Sequence, residues 1–131
     1  TKKIRNFLKW FGEYNYSFDE LYKFKTAILR KKLLEINGVG PETADSILLY
    51  AMNRKIFVVD AYTKRIFSRL KLTEEFDSYD TVQEFFHREF KGGIKKYNEF
   101  HALIVAHGKN ICKNRPLCEK CCIRHLCESR V

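Results

Sequence analysis

All five cysteines of the chain fall within its last 20 residues, and four of them, Cys112, Cys118, Cys121 and Cys127, form the pattern C-x5-C-x2-C-x5-C. A disulfide framework spreads its cysteines along a chain; crowding them into one tail is metal or cluster spacing. Four thiolates on a compact loop suit a tetrahedral zinc ion or a [4Fe–4S] cluster. Zinc ribbons use two C-x2-C knuckles separated by a longer loop. Here one C-x2-C sits between two five-residue gaps, a single small basket that favours the iron–sulfur cluster over zinc. Cys122 adjoins Cys121 and is read as a packing residue. Lys113, Arg115, Lys120 and Arg124 lie among the ligands and can offer positive charge to a phosphate backbone.

A second centre is Asp60. It follows the apolar run Ile56-Phe57-Val58-Val59 and precedes a basic helical segment, Ala61-Tyr62-Thr63-Lys64-Arg65-Ile66. An aspartate there caps a helix and is held ionised by the helix dipole and the amides it accepts from. A fixed carboxylate can stabilise positive charge developing on a sugar ring, or orient and deprotonate an attacking water. Most aspartates at helix starts are only caps; what raises this one is its place about 20 residues after a glycine-rich turn.

That turn is Asn37-Gly38-Val39-Gly40-Pro41, flanked by Leu33-Leu34-x-Ile36 and Thr43-Ala44. Two glycines let the backbone bend tightly and approach another backbone closely. Amides at the start of the following helix, with the positive end of its dipole behind them, suit a phosphate, and such a grip positions a duplex without reading it. The plainer alternative is a helical corner with a glycine C-cap. The four histidines carry less. His101 and His107 are six residues apart on one helix, hence on opposite faces and poorly placed for a shared metal; with His87 and His125 they are read as core or surface residues.

The elements that must position these groups are helical. The chain has 131 residues, 45% of them apolar, enough for a real core and too many for disorder. No apolar run approaches the roughly 20 residues that span a bilayer. Lys and Arg outnumber Asp and Glu by 25 to 16, a net charge of +9 that favours a polyanionic partner. The charge is segregated: residues 53–71 hold six basic residues against Asp60 alone, and residues 72–90 hold six acidic ones against Arg88, predicting one binding face and one solvated face. Helical spacing groups Ile4, Phe7, Leu8 and Phe11 on one face. Residues 13–25 read as a connection. Thr26 can cap a helix burying Leu29, Leu33 and Ile36; Pro41 opens one burying Ala44, Ile47, Leu48 and Ala51. Asp60 starts a helix to about Leu70, Asp80 with Gln83 resembles a capping box, and Ile94 to Asn110 form the last long helix.

Taken together, Leu33-Leu34-x-Ile36-x-Gly38-Val39-Gly40-x-x-Thr43-Ala44, Val58-Val59-Asp60 with Arg65, His101-Ala102-Leu103-Ile104-x-x-His107-Gly108-Lys109 and the terminal cysteines resemble the endonuclease III family of helix–hairpin–helix DNA glycosylases. The resemblance runs from about Lys25 to Cys127. It implies an all-α fold, a partial six-helix barrel (residues 1–59, with the helix–hairpin–helix motif at 26–52) and a helical domain at 60–131 ending in an iron–sulfur loop at 112–127. It implies double-stranded DNA as partner, a damaged base flipped into a pocket, Asp60 as the catalytic aspartate, and Gly38, Val39, Gly40 and Thr43, with the basic Lys64 and Arg65, as DNA-binding residues. Cys112, Cys118, Cys121 and Cys127 would be the ligands of a [4Fe–4S] cluster.

Three departures qualify it. Glu42 stands where bifunctional members carry a lysine nucleophile, and a carboxylate forms no imine; this predicts a monofunctional enzyme that uses water. The hairpin Gly-Val-Gly-Pro-Glu-Thr-Ala-Asp is similar to that of the branch removing alkylated purines such as 3-methyladenine. The first cysteine gap is five residues instead of the family's six. The chain also starts partway through the barrel, as a fragment of a longer protein would. The expectation is an intracellular, cytoplasmic, nucleoid-associated monomer with no membrane contact. Two other functions fit the same motifs: a bifunctional glycosylase/AP lyase using another amine such as Lys55 or Lys64, and a non-catalytic DNA-binding module.

Overall fold

The computed structural model describes every residue from Thr1 to Val131, and it contains helices and connecting turns but no β-strand. The helices are α1 (Lys2–Gly12), α2 (Phe18–Tyr22), α3 (Thr26–Leu34), α4 (Pro41–Ser46), α5 (Ala61–Arg69), α6 (Tyr79–Glu89) and α7 (Ile94–Asn110). A π-helical turn, Ile47–Ala51, continues α4, and two 3₁₀ turns, Cys118–Lys120 and Arg124–Leu126, lie among the cysteines. No helix is long and apolar enough to cross a membrane. The chain divides into two compact units, Thr1–Ile56 and Phe57–Val131.

In the first unit, Leu29, Leu33 and Ile36 are buried as their spacing predicts, and Leu21, Leu48, Leu49 and Met52 complete the core. Each fully buried leucine contributes about 1.5–3 kcal/mol. The helix after Pro41 departs from the expected pattern: Ala51 is exposed and Ile47 only half-buried, while Leu49 and Met52 are buried. The π-helical turn is the reason. Its wider winding, with Met52 N–H donating to the Ile47 carbonyl, shifts the phase of the apolar face. Asp45 is fully buried and takes a two-pronged ion pair from Arg30 across the α3–α4 corner (Nε to Oδ1 2.7 Å, NH2 to Oδ2 3.0 Å). On α1, Phe11 is buried among Phe7, Tyr16 and Phe18, but Ile4 and Leu8 stay exposed.

The second unit is built on rings. Phe57 stacks on Phe86 at 4.0 Å between centroids, meets Tyr97 edge-on at 5.6 Å, and Phe90 stacks on Phe100 at 4.3 Å. Residues 56–59 belong to no helix or strand and are buried. A buried backbone with no strand neighbour needs other partners, and α6 supplies them: Phe57 N–H donates to His87 Nε2 (2.9 Å), Gln83 Nε2 donates to the Phe57 carbonyl (2.8 Å), and Val59 N–H donates to the Tyr79 hydroxyl (3.2 Å). His87 and Gln83 therefore have structural duties that their sequence positions do not announce. Two caps differ from expectation. The start of α6 is capped by Ser78, whose hydroxyl accepts from Thr81 N–H at 3.1 Å, leaving Gln83 to the core. Thr26 is the first residue inside α3, after Lys25, and makes no cap hydrogen bond.

Candidate functional site

Three local arrangements carry the sequence-predicted residues. The first is the hairpin between α3 and α4. Gly38 has a φ of +94°, the left-handed region that side chains avoid, and a Cβ there would lie 2.8 Å from Lys3 Cγ. The loop is held to α1 by Asn6 Nδ2 donating to the Asn37 carbonyl at 3.0 Å. Val39 N–H closes the turn on the Ile36 carbonyl, and Gly40 caps α4 through its carbonyl, which accepts from Ala44 N–H. Gly40, Glu42 and Thr43 are exposed, and a Cβ at Gly40 would meet nothing within 4 Å. The outer side of the turn is thus open to a close approach, and the Arg30–Asp45 pair stiffens its inner side.

The second arrangement is Asp60, 8% exposed, at the N-cap of α5. Oδ1 accepts from Thr63 N–H (2.8 Å) and from the Thr63 hydroxyl (2.9 Å). Oδ2 lies 3.0 Å from His101 Nε2, on α7. Burial pushes the carboxyl group's pKa up, but the His101 hydrogen bond, the two Thr63 hydrogen bonds and the attraction of the His101 ring outweigh it, so Asp60 is held below the ordinary aspartate value. The carboxylate is therefore ionised, fixed and nearly dehydrated, the state in which it interacts most strongly with a nearby positive charge. The helices meet closely because Gly108 has no side chain: a Cβ there would lie 2.5 Å from Tyr62 Cδ1. His101 is seven residues before Gly108, two turns along the same face of α7, with buried Ile104 between them. Its pairing across 41 residues was not legible as a motif; the seven-residue spacing to a glycine was the available hint.

The third arrangement is the cysteine loop. Cys112, Cys118, Cys121 and Cys127 line one pocket of about 30 Å³; Cys122 does not line it and is exposed. No three His, Cys, Asp or Glu side chains converge closely enough to share a single metal ion. Burial pushes the Cys121 thiol up, opposed by a hydrogen bond from Ile123, and Cys122, Cys112 and Cys118 push it further up. His107 Nε2 lies 3.6 Å from Cys121 Sγ, so His101 and His107 serve different arrangements, as their opposed faces predict. Two arginines of α5 grip the loop. Arg65 donates to the carbonyls of Cys112 (2.8 Å) and Gly108 (2.9 Å). Arg69 donates to the carbonyls of Lys113 (2.6 Å) and Asn114 (3.0 Å) and to Cys112 Sγ (3.3 Å). Lys64 lines a wide cleft of about 700 Å³ with Arg65, Arg69 and Lys71, and Glu74 and Glu75 lie on the same cleft.

No protein-family model matches the chain. Among curated proteins, the chain is 47% identical over 132 residues to a protein of Methanocaldococcus jannaschii named as a DNA repair glycosylase, covering 99% of this chain and 60% of that one. It is 36% identical over 101 residues to endonuclease III of Sulfolobus acidocaldarius, covering 76% of this chain and 44% of that one. The chain thus spans about half the length of the curated relatives it matches. Its fold superposes on endonuclease III in a solved non-covalent complex with DNA with a TM-score of 0.67 at 17% identity, covering 95% of this chain and 74% of that one. The chain is thus similar in sequence to DNA glycosylases of the endonuclease III family and shares the fold of endonuclease III.

Proposed function

We propose that the protein is a base-excision-repair DNA N-glycosylase, and that it hydrolyses the bond between deoxyribose and a damaged base, an alkylated purine such as 3-methyladenine. The observation that carries this reading is the state of Asp60: buried, ionised and held through both oxygens at the start of a helix. In this reading the C1′–N bond breaks through an oxocarbenium-like transition state. Its electron pair stays with the cationic alkylated base, which leaves neutral. Asp60 stabilises the charge at C1′, water adds there, and the water's proton passes through the carboxylate to solvent.

The rest of the machinery follows the family. The open hairpin of Gly38, Val39, Gly40 and Thr43 grips a phosphate of duplex DNA, and Lys64 and Arg65 add positive charge. The kinship with endonuclease III, a member of which has been solved on DNA, supports DNA as the partner. Glu42, exposed in the first turn of α4, cannot form a Schiff base, which makes the enzyme monofunctional. It acts inside the cell as a monomer.

The cysteine loop fits a [4Fe–4S] cluster. The four cysteines line one pocket, and a cluster takes one thiolate per iron. Cys112, Cys118, Cys121 and Cys127 would hold it, and it would supply a rigid core to a loop with little apolar packing of its own.

The test is release of free base from duplex DNA carrying 3-methyladenine by the full-length protein. Asp60→Asn should be at least about 100-fold slower; an equal rate would remove Asp60 from the mechanism. Borohydride should trap no covalent adduct on abasic DNA, and an adduct would overturn the assignment from Glu42.

A further inference from the structure

Asp60 Oδ1 is held by two donors on its own helix, both from Thr63. Those bonds hold the carboxylate through one oxygen and from α5 alone. The second oxygen is fixed from a different helix, by His101 Nε2 at 3.0 Å. The carboxylate is thus restrained from both α5 and α7. We infer that His101 is a positioning residue for the Asp60 carboxylate, setting which lone pair of Oδ2 faces the reacting sugar; this rests on the catalytic reading of Asp60 given above.

The geometry around the pair supports the role. The side chains of both partners are nearly buried, 13% exposed for His101 and 10% for Asp60, so water competes little for the bond. A carboxylate accepts only, so the contact requires the His101 tautomer that carries its proton on Nε2. α7 reaches Asp60 because Gly108, on the same face, admits the Tyr62 ring where any side chain would collide. The alignment of His101 is therefore built into the packing of α5 against α7. A bond from Nε2 to one lone pair of Oδ2 leaves the other for a developing charge or a water. Loss of that bond lets the carboxylate rotate among orientations of which only some are productive, a cost that appears in the chemical step.

The experiment compares wild type, His101→Leu, His101→Gln and Asp60→Asn in single-turnover base release and in binding to duplex DNA. His101→Leu should lower the rate of base release about 10- to 100-fold while the Kd for DNA stays within about twofold. His101→Gln, whose amide N–H can still donate to Oδ2, should recover most of the rate. In His101→Leu, the Asp60 carboxyl group, followed by carbon-13 NMR, should titrate at higher pH than in the wild type. Circular dichroism melting identifies any variant that fails to fold, and His101→Gln keeps the test decisive if His101→Leu does so. A wild-type rate in His101→Leu, or His101→Gln as slow as a folded His101→Leu, overturns the positioning role while a slow Asp60→Asn leaves the reading of Asp60 standing. A fast Asp60→Asn removes that reading and the positioning role with it. An unmoved Asp60 titration in His101→Leu overturns the contact itself.

Discussion

Arg65 donates through Nε to the carbonyl of Cys112 at 2.8 Å, joining the first cysteine of the loop to the helix that begins at Asp60. Arg69, one turn further along α5, binds the next two carbonyls and the Cys112 sulfur. These are forked, charge-assisted contacts that a lysine cannot reproduce. Arg65→Lys and Arg69→Lys keep the charge and lose the fork. Each should destabilise the second unit by about 1–3 kcal/mol and, with the proposed cluster in the loop, lower the iron and sulfide recovered per chain below the about four of each that a full cluster would carry. The slope of DNA affinity against salt should not change, because the positive charge remains. Iron analysis and melting, set beside a salt titration, check this.

The Arg30–Asp45 pair ties α3 to α4 beneath the hairpin, with Asp45 fully buried. Removing one partner strands a charge in the core. Asp45→Ala should cost about 2–4 kcal/mol, below the full figure for a buried pair because the Arg30 side chain keeps 21% exposure. Replacing both residues by apolar ones should recover part of that loss. Urea denaturation of the single and double variants measures both effects.

Gly108 has no room for a methyl group: a Cβ would lie 2.8 Å from Tyr62 Cβ as well as 2.5 Å from its ring. Gly108→Ala should therefore cost about 1–3 kcal/mol through overpacking. It should also slow base release where α7 shifts to accommodate the methyl, because His101 lies on the same face of α7. Tyr62→Ala in the same background should restore stability in part, which a melting series detects.

The pKa of Asp60 is lowered in the folded protein, so its ionised form stabilises the fold. The sign follows: the contribution is present above the ordinary aspartate value of 3.8 and is lost as pH falls through the lower folded value. The stability difference between wild type and Asp60→Asn should shrink as pH falls below about 5. Chemical denaturation across that range tests it, and a difference that grows as pH falls would contradict the assigned direction.

Residues whose roles are set by near neighbours were legible in the sequence. Asp60 caps α5 through a residue three positions away, and α7 runs from Ile94 to Asn110 as its periodicity and flanking glycines predict. Cys122 is exposed, so it is not the packing residue that its place beside Cys121 suggested. What sequence reasoning missed depends on chain segments far apart. His101 meets Asp60 across 41 residues, and His87 meets Phe57 across 30. Arg65 and Arg69 each commit nitrogens to backbone carbonyls more than 40 residues away, contacts that no motif announces. The π-helical turn changed which of Leu49 and Ala51 faces the core, because periodicity assumes one winding throughout.

The buried segment 56–59 sets the orientation of Asp60 before any partner binds. Its backbone is pinned to α6 at Phe57 and Val59, and the very next residue starts a helix. Asp60 thus reaches its final orientation when the chain folds, in the absence of any DNA. A dipole or charge fixed that early needs no reorganisation during turnover, so the entropy of aiming it is charged to folding rather than to each encounter.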